Sequence, residues 1–317
     1  MKLVMMGSGG VGGFFGGRLL NSGYDVSFLA RGAHLAAMRE HGLLIENDAQ
    51  GDIHIPKVRV CDDPATLGVA DMVILSVKLW DTEASVRAIK PLIGPNTAVL
   101  SLQNGVIKDE ILRRTLRELG IAPEPVVMGG VAYVATHISR PGVIKQVGSM
   151  QRVVVGEYDG RESARAVFLH QALLAAGVKA ELSSDVRKSI WEKYVFLVGL
   201  SATTTAMRLP LGAVRGHPQT RAFLLQIMRE AVAVGRAHGV ALPEDFADNR
   251  LAFADTMPAD MTSSMHHDLD RGNPLEVNWL SGGVVQLGRE KGVPAPANSA
   301  VCDILALYAA GKTGEPA

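Results

Sequence analysis

Glycine residues close to the N-terminus carry the clearest chemical pattern in this sequence. Gly7, Gly9 and Gly12 follow the spacing G-x-G-x-x-G. In this spacing the first glycine permits a sharp strand-to-helix turn, the second lets a pyrophosphate approach the backbone, and the third lets helix and strand pack closely. Unpaired N–H groups at the start of the helix then favour bound phosphate. The pattern predicts a dinucleotide-binding turn formed by Gly7, Ser8, Gly9, Gly10, Val11 and Gly12. A flexible turn without a ligand is the plainer alternative.

Position 31 indicates which dinucleotide this turn would take. An apolar run at 25–30 ends at Arg31, with no acidic residue beside it. Proteins that bind NAD place an acidic residue near this point to hold the ribose hydroxyls. A guanidinium group instead offers a planar fork of donors to a 2′-phosphate. The sequence therefore predicts NADPH as cofactor, and a surface arginine in a loop remains the alternative.

Polar residues follow two further apolar runs. Lys78 comes after the run 71–77, and Asn104 comes shortly after the run 97–102. Ligands of open α/β sheets bind outside the carboxyl ends of the strands, so both side chains are candidates for cofactor binding, and Asn104 also for substrate binding. The alternatives are a solvated lysine at a strand end and a tight Asn-Gly turn at 104–105.

The elements that would position these residues alternate between strand and helix. Strands are predicted at 2–6, 25–30, 71–77 and 97–102, and helices at 14–22 and 81–93. Segments within 126–157 complete the sheet, some of them antiparallel, and a helix at 163–176 and a strand at 178–182 follow. Helical patterns then cover 185–205, 220–238 and 274–291. The fold class is α/β: a Rossmann-type doubly wound sheet at residues 1–182, followed by an all-helical domain at residues 183–317.

Composition limits the classes of function. The chain has 317 residues with 32 Lys plus Arg against 32 Asp plus Glu, a balance that argues against nucleic-acid binding. Cys61 and Cys302 are too few for a disulfide framework, and the adjacent His266 and His267 would point apart on a helix, so we expect no metal site. The apolar stretches are too short to span a bilayer and no signal-peptide layout is present, so a cytoplasmic protein is expected.

Over nearly its whole length the chain resembles the ketopantoate reductases (2-dehydropantoate 2-reductases). The resemblance is carried by the glycine turn, L-x-R at 29–31, S-V-K at 76–78, L-Q-N-G at 102–105, W-x-K at 191–193, and S-S-M-x-x-D at 263–268 with Glu276 twelve residues after the second serine. The combination in this order is specific, although each short match is not. It implies NADPH-dependent reduction of a 2-oxo acid, most simply 2-dehydropantoate to pantoate in pantothenate biosynthesis.

The resemblance also implies roles for individual residues. Lys193 matches the family's catalytic lysine, Glu276 the acid that binds substrate and orients the reacting groups, and Ser264 a serine that holds the substrate carboxylate. Each has a plainer explanation from the residues alone. Lys193 could be a solvated lysine, Ser264 a helix N-cap, and Glu276 part of a capping box with Asn273 and a following Pro274.

Two positions on the Lys193 helix depart from the family pattern. Leu197 and Ser201 stand where the family typically has asparagine, and Ser201 is retained as a candidate substrate contact. Because the pocket would be more apolar, the substrate could be a 2-oxo acid other than 2-dehydropantoate. The sequence is also compatible with a β-hydroxyacid-type dehydrogenase and with a non-catalytic NADPH-binding sensor. It does not determine the oligomeric state, and a homodimer is one possibility.

Overall fold

The computed structural model describes residues 1–312 of the chain. Its internal contacts divide the chain into two compact units. The first comprises residues Met1–Gln103 and Lys108–Ser189, and the second comprises Asn104–Ile107 together with the chain from Ile190 onward. The short segment Asn104–Ile107 therefore belongs to a different unit from the residues on either side of it. The domain boundary that the sequence analysis places near Leu182 stays a prediction.

The first unit is built on a ten-stranded sheet. Its strands are β1 (Lys2–Met6), β2 (Asp25–Leu29), β3 (Leu43–Asn47), β4 (Ile53–Ile55), β5 (Arg59–Cys61), β6 (Ala70–Leu75), β7 (Ile93–Ser101), β8 (Val127–Arg140), β9 (Val143–Gly156) and β10 (Lys179–Leu182).

The strand order explains why the candidate residues gather at one edge. The order is β4-β3-β9-β8-β7-β6-β1-β2-β5, with β10 pairing β9 outside this path. β1 lies between β2 and β6 and is parallel to both, with Met5 opposite Phe28 and Ile74. The carboxyl ends of these three strands therefore share one edge, which is where Gly7, Arg31 and Lys78 follow. β8 and β9 form the predicted antiparallel pair, and β9 continues the sheet through a parallel pairing with β3.

Five helices of the first unit cover the sheet: α1 (Gly10–Asn21), α2 (Gly32–His41), α3 (Thr82–Ala88), α4 (Lys108–Glu118) and α5 (Ala164–Ala175). Alternate residues of β1 enter different hydrophobic clusters. Leu3 and Met5 pack with Phe14 of α1, whereas Val4 and Met6 pack with Leu112 of α4. Since successive side chains of a strand point to opposite faces, both faces of the sheet are covered, as in a doubly wound fold.

The second unit is helical among its described residues. α6 (Val186–Met207) begins in the last residues of the first unit and continues into the second. It is followed by α7 (Leu211–Gly216), α8 (Pro218–Ala237), α9 (Phe246–Thr256), α10 (Ser264–Arg271), α11 (Ser281–Lys291) and α12 (Pro296–Leu305). The predicted fold class, a Rossmann-type domain followed by a helical domain, is confirmed.

Two predicted helices are shorter than expected. The helix expected over 81–93 is limited to α3, with 3-10 turns at Leu79–Asp81 and Lys90–Leu92, because Pro91 cannot continue an α-helix. The helix expected over 274–291 is wrong in its first part. The backbone N–H of Leu275 donates to Ala309, Glu276–Asn278 forms a 3-10 turn, and α11 starts only at Ser281.

Candidate active site

The glycine turn joins β1 to α1, as the sequence predicts. Gly7 has φ +98°, a left-handed conformation that favours glycine. A Cβ on Gly12 would lie 2.0 Å from the Gly7 carbonyl oxygen, so only glycine permits this close packing of helix and strand. The buried Ser8 hydroxyl donates to the carbonyl of Leu29 at 2.8 Å, which ties the turn to the end of β2. The turn is therefore rigidly connected to the sheet.

The residues of the turn suit a dinucleotide. Gly9 is the N-cap of α1, and a Cβ built on Gly9 would meet only open space. Backbone can therefore be approached closely at Gly9, beside the N–H groups that begin the helix. Arg31 is exposed as the N-cap residue of α2, directly beyond β2. Open backbone at the helix start and a guanidinium at the next strand end fit the pyrophosphate and the 2′-phosphate of NADPH.

The ends of β6 and β7 are linked by buried polar side chains. Gln103 donates to the carbonyl of Val77 at 3.0 Å and to the Thr82 hydroxyl at 2.8 Å, and it accepts from the Ser101 hydroxyl. These bonds fix the segment in which Lys78 lies. Lys78 itself is half-buried, with its ammonium group 5.6 Å from the centre of the Trp80 ring.

Lys193 and Asn104 are brought together within the second unit. Lys193 lies on α6 and is half-buried, and its Nζ donates to Asn104 Oδ1 at 2.7 Å. The two residues are 89 positions apart in the sequence. Gly105 has φ +86°, so the tight turn expected at Asn104-Gly105 is also present. The turn and the lysine contact are therefore compatible properties of the same asparagine.

Tyr194, the residue next to Lys193, connects α6 to the segment before α11. Its buried hydroxyl donates to the carbonyl of Leu280 at 2.6 Å. Burial raises the pKa of Tyr194, so the phenol stays protonated and acts as a donor. Leu280 lies four residues after Glu276, so this bond anchors α6 to the part of the second unit that carries Glu276.

The capping-box interpretation of Glu276 is wrong. Leu275, not Asn273, precedes the 3-10 turn that starts at Glu276, and the Asn273 amide instead donates to Asp268 at 3.1 Å. Glu276 is buried, with 5% of its surface exposed. The substrate role that the resemblance implies for Glu276 stays a prediction.

The N-cap of α10 is Ser263 rather than Ser264. The Ser263 hydroxyl is buried and accepts from the backbone N–H of His266 at 3.1 Å. Ser264 is the first helical residue, and it is exposed. The capping role therefore belongs to its neighbour, and Ser264 lies at a helix N-terminus, where a carboxylate is favoured.

Leu197 and Ser201 follow Lys193 at intervals of four residues on α6. Leu197 is half-buried, and Ser201 is 1% exposed. Among the described residues, the buried Ser201 hydroxyl has no hydrogen-bond partner. Its assignment as a substrate contact stays a prediction.

Sequence reasoning overlooked several residues that shape these segments. Gln103, Tyr194 and His34 all have specific hydrogen bonds, and Lys108 is completely buried beside Asp109. Gln103 lies in the motif at 102–105 and Tyr194 beside the motif at 191–193, so their positions carried some signal. His34, one of two histidines in α2, and Lys108, in the highly charged α4, lie in no such motif.

Comparison with known proteins agrees with this architecture. The model of the ketopantoate reductase PanE/ApbA family matches residues 3–160, and that of its C-terminal domain matches residues 185–309. A 2-dehydropantoate 2-reductase of Mesorhizobium japonicum is 32% identical over 95% of both chains. The crystal structure of a PanE/ApbA family ketopantoate reductase from Ralstonia eutropha JMP134 has a TM-score of 0.86, with 34% identity over 98% of both chains. A D-mandelate dehydrogenase with NADH has a TM-score of 0.87 at 21% identity over 98% of both chains, which shows a common fold.

Fold and matches together define an NADP-dependent oxidoreductase with a Rossmann-type domain and a helical domain. The chain belongs to the ketopantoate reductase family. NADPH is the cofactor of this family, and its reaction is the reduction of a small 2-oxo acid. No helix within residues 1–312 combines the length and the apolar character required to cross a membrane.

Proposed function

We propose that this chain reduces 2-dehydropantoate to pantoate with NADPH, and that Lys193 is its catalytic acid. The observation that carries the proposal is the 2.7 Å bond from Lys193 Nζ to Asn104 Oδ1 on a half-buried helix position. A bonded ammonium group has a defined direction, which a solvated lysine lacks. Direction matters because a stabilising charge must be aimed at the place where negative charge develops.

The first unit is assigned to the cofactor. When bound, NADPH supplies the hydride that reduces the ketone carbon. The N–H groups at the start of α1 would hold the pyrophosphate, with Gly9 leaving room for it. Arg31 would bind the 2′-phosphate through its fork of donors, and Lys78 would add positive charge at the neighbouring strand end.

The second unit is assigned to the substrate and to the proton. As hydride reaches the carbonyl carbon, negative charge grows on the ketone oxygen, and the Lys193 ammonium stabilises that charge and donates the proton. Asn104 holds Lys193 in orientation. Ser264, exposed at the N-terminus of α10, would hold the substrate carboxylate, and Glu276 would orient the substrate.

Substitution of Lys193 tests the assignment. Lys193→Ala should lower kcat by about 10²–10⁴-fold, the usual contribution of general acid catalysis, and leave NADPH binding unchanged. Initial rates of NADPH oxidation with 2-dehydropantoate measure turnover, and NADPH fluorescence measures binding. Lys291→Ala, at an exposed position of α11, is the matched control and should have normal kcat. Full turnover by Lys193→Ala would show that another group supplies the proton, and no NADPH oxidation by the wild type with any 2-oxo acid would favour a sensor.

A second candidate substrate is a 2-oxo acid with a larger apolar substituent. The observation that favours it is the half-buried Leu197, one helical turn beyond Lys193, where an apolar side chain cannot bond a substrate hydroxyl. Leu197→Asn should then raise kcat/KM for 2-dehydropantoate and lower it for branched or aromatic 2-oxo acids. Equal effects on both substrate classes would remove Leu197 as a determinant of specificity.

A further inference from the structure

His34 of α2 uses both of its ring nitrogens to connect two backbone segments. Nε2 lies 2.9 Å from the carbonyl oxygen of Ser8, and Nδ1 lies 3.0 Å from the backbone nitrogen of Gly142. A carbonyl oxygen can only accept and a backbone N–H can only donate. The partners therefore specify one neutral tautomer, with the hydrogen on Nε2 and an unprotonated Nδ1. Burial lowers the pKa of His34, which favours this neutral form.

The carbonyl that His34 binds belongs to the peptide group between Ser8 and Gly9. A trans peptide is planar, so its C=O and its N–H point in opposite directions. A bond that fixes the Ser8 oxygen therefore also fixes the direction of the Gly9 N–H. Gly9 is the N-cap of α1, and the space next to its Cα is open. His34 thus controls the orientation of a donor at a point of the turn where a phosphate can approach the backbone closely.

Ser8 is also held from its side chain. Its hydroxyl donates to Leu29 at the end of β2, and its carbonyl accepts from α2, the helix that begins immediately after Arg31. The glycine turn and the segment that carries Arg31 are therefore joined by two hydrogen bonds through a single residue. These bonds set the spacing between the turn and the arginine, which a dinucleotide with a 2′-phosphate would have to match.

We infer that His34 is a positioning residue for the dinucleotide, holding the Ser8–Gly9 peptide so that the Gly9 N–H is directed at the pyrophosphate. The inference rests on the assignment of the glycine turn to NADPH, and it is independent of which 2-oxo acid is reduced. His34 acts through the peptide and does not touch the reacting atoms. It should therefore affect dinucleotide affinity and leave the chemical step unaltered.

Three variants separate the two contacts of the ring. The amide nitrogen of Gln reaches the place of Nε2, and the amide oxygen of Asn reaches the place of Nδ1. His34→Gln should therefore keep KM for NADPH within about twofold, because the bond to Ser8 is kept. His34→Asn and His34→Ala should raise that KM by about five- to tenfold, the equivalent of one hydrogen bond, with kcat at saturating NADPH unchanged. Because NADH carries the same pyrophosphate, its binding should weaken by the same factor.

Two controls make the result decisive. His54→Asn replaces an exposed histidine on the edge strand β4, whose Nε2 also bonds a backbone carbonyl, that of His41. This variant should leave the KM for NADPH unchanged. Arg31→Ala should weaken NADPH but not NADH; equal loss of both would overturn the cofactor assignment itself. With that assignment intact, equal KM values for His34→Asn and His34→Gln would overturn the inference, as would a lower melting temperature without any change in KM.

Discussion

A buried ion pair at the start of α4 allows the most direct calculation from this structure. Lys108 Nζ bonds both carboxylate oxygens of Asp109, at 2.9 and 2.8 Å, and the carbonyl of Ser101 at 2.9 Å. The Tyr158 hydroxyl donates to Asp109 at 2.5 Å. Burial, together with the Asp109 charge, raises the pKa of Tyr158 well above its ordinary value, so the phenol stays a donor. The bond to Ser101 also closes the loop at 102–107 that carries Asn104.

Replacement of Lys108 should strongly lower the stability because the Asp109 carboxylate is almost completely removed from water. The side chains of Lys108 and Asp109 are only 1% and 9% exposed. Lys108→Met removes the counter-charge and leaves Asp109 with a single donor, so we expect a loss of about 3–5 kcal/mol in the free energy of unfolding. The total free energy of unfolding of a typical protein is roughly 5–15 kcal/mol. With an m value of about 3 kcal/mol/M, the urea midpoint would fall by roughly 1–2 M.

Urea unfolding followed by circular dichroism measures this loss, and a double variant tests its cause. Lys108→Met with Asp109→Leu removes the isolated charge, so it should be more stable than Lys108→Met alone. Arg117→Ala breaks an exposed ion pair with Glu124, 3.0 Å apart, and should cost less than about 1 kcal/mol. If the losses of Lys108→Met and Asp109→Leu simply add in the double variant, the charge explanation is wrong.

Three other perturbations have directions set by the structure. Gly12→Ala should lower both the melting temperature and NADPH binding, because the new Cβ would lie 2.0 Å from a backbone oxygen. Gly9→Ala places its Cβ in open space and should lower NADPH binding alone. Equal melting temperatures for the two variants would contradict this. Tyr194→Phe removes the shorter of two bonds to the Leu280 carbonyl, which keeps the 3.3 Å bond from the backbone N–H of Val284, and should cost about 0.5–1.5 kcal/mol in thermal unfolding. Tyr308→Phe is an exposed control that should cost almost nothing. The pKa of His34 is lowered in the folded chain, so as the pH falls below the ordinary value of 6.5 the unfolded chain takes up the proton first and the contribution of His34 to stability is lost. The difference in the free energy of unfolding between wild type and His34→Gln should therefore shrink from pH 7 to pH 5. A difference that stays constant over this range would refute the argument.

Much of the first unit could be predicted because its determinants are local. The strand at Lys2–Met6 lies where the apolar run predicts it, and the glycine spacing specifies the turn that follows. For residues 126–157 the sequence predicts only separate strand segments, some of them antiparallel, rather than two long paired strands. The register of the β8–β9 pair shifts between Val134 and Thr136 and again near Ile138, and neighbours from other strands, which no local pattern encodes, determine such irregularities.

The error at 274–280 has a clear physical origin. Asn273, Pro274 and Glu276 have the residue types and spacing of a helix start, yet Leu275 uses its N–H to bind Ala309, 34 residues away. A tertiary hydrogen bond thus replaces the local helix. The pairing of Lys193 with Asn104 was likewise beyond local patterns: the resemblance placed both residues among the functional ones, but only the folded chain shows the bond between them.

The parallel pairing of β3 with β9 has a consequence for synthesis of the chain. Asn47 lies opposite Gln146, and their side chains are hydrogen-bonded at 2.6 Å although 99 residues separate them. β10, which ends at Leu182, then pairs with β9. β9 follows β3 by about 100 residues, so at translation rates of about 5–20 residues per second roughly 5–20 s separate the synthesis of the two strands. During that interval the edge of β3 that later pairs with β9 has no partner from β9, and an unpaired strand edge is a place where another chain can add.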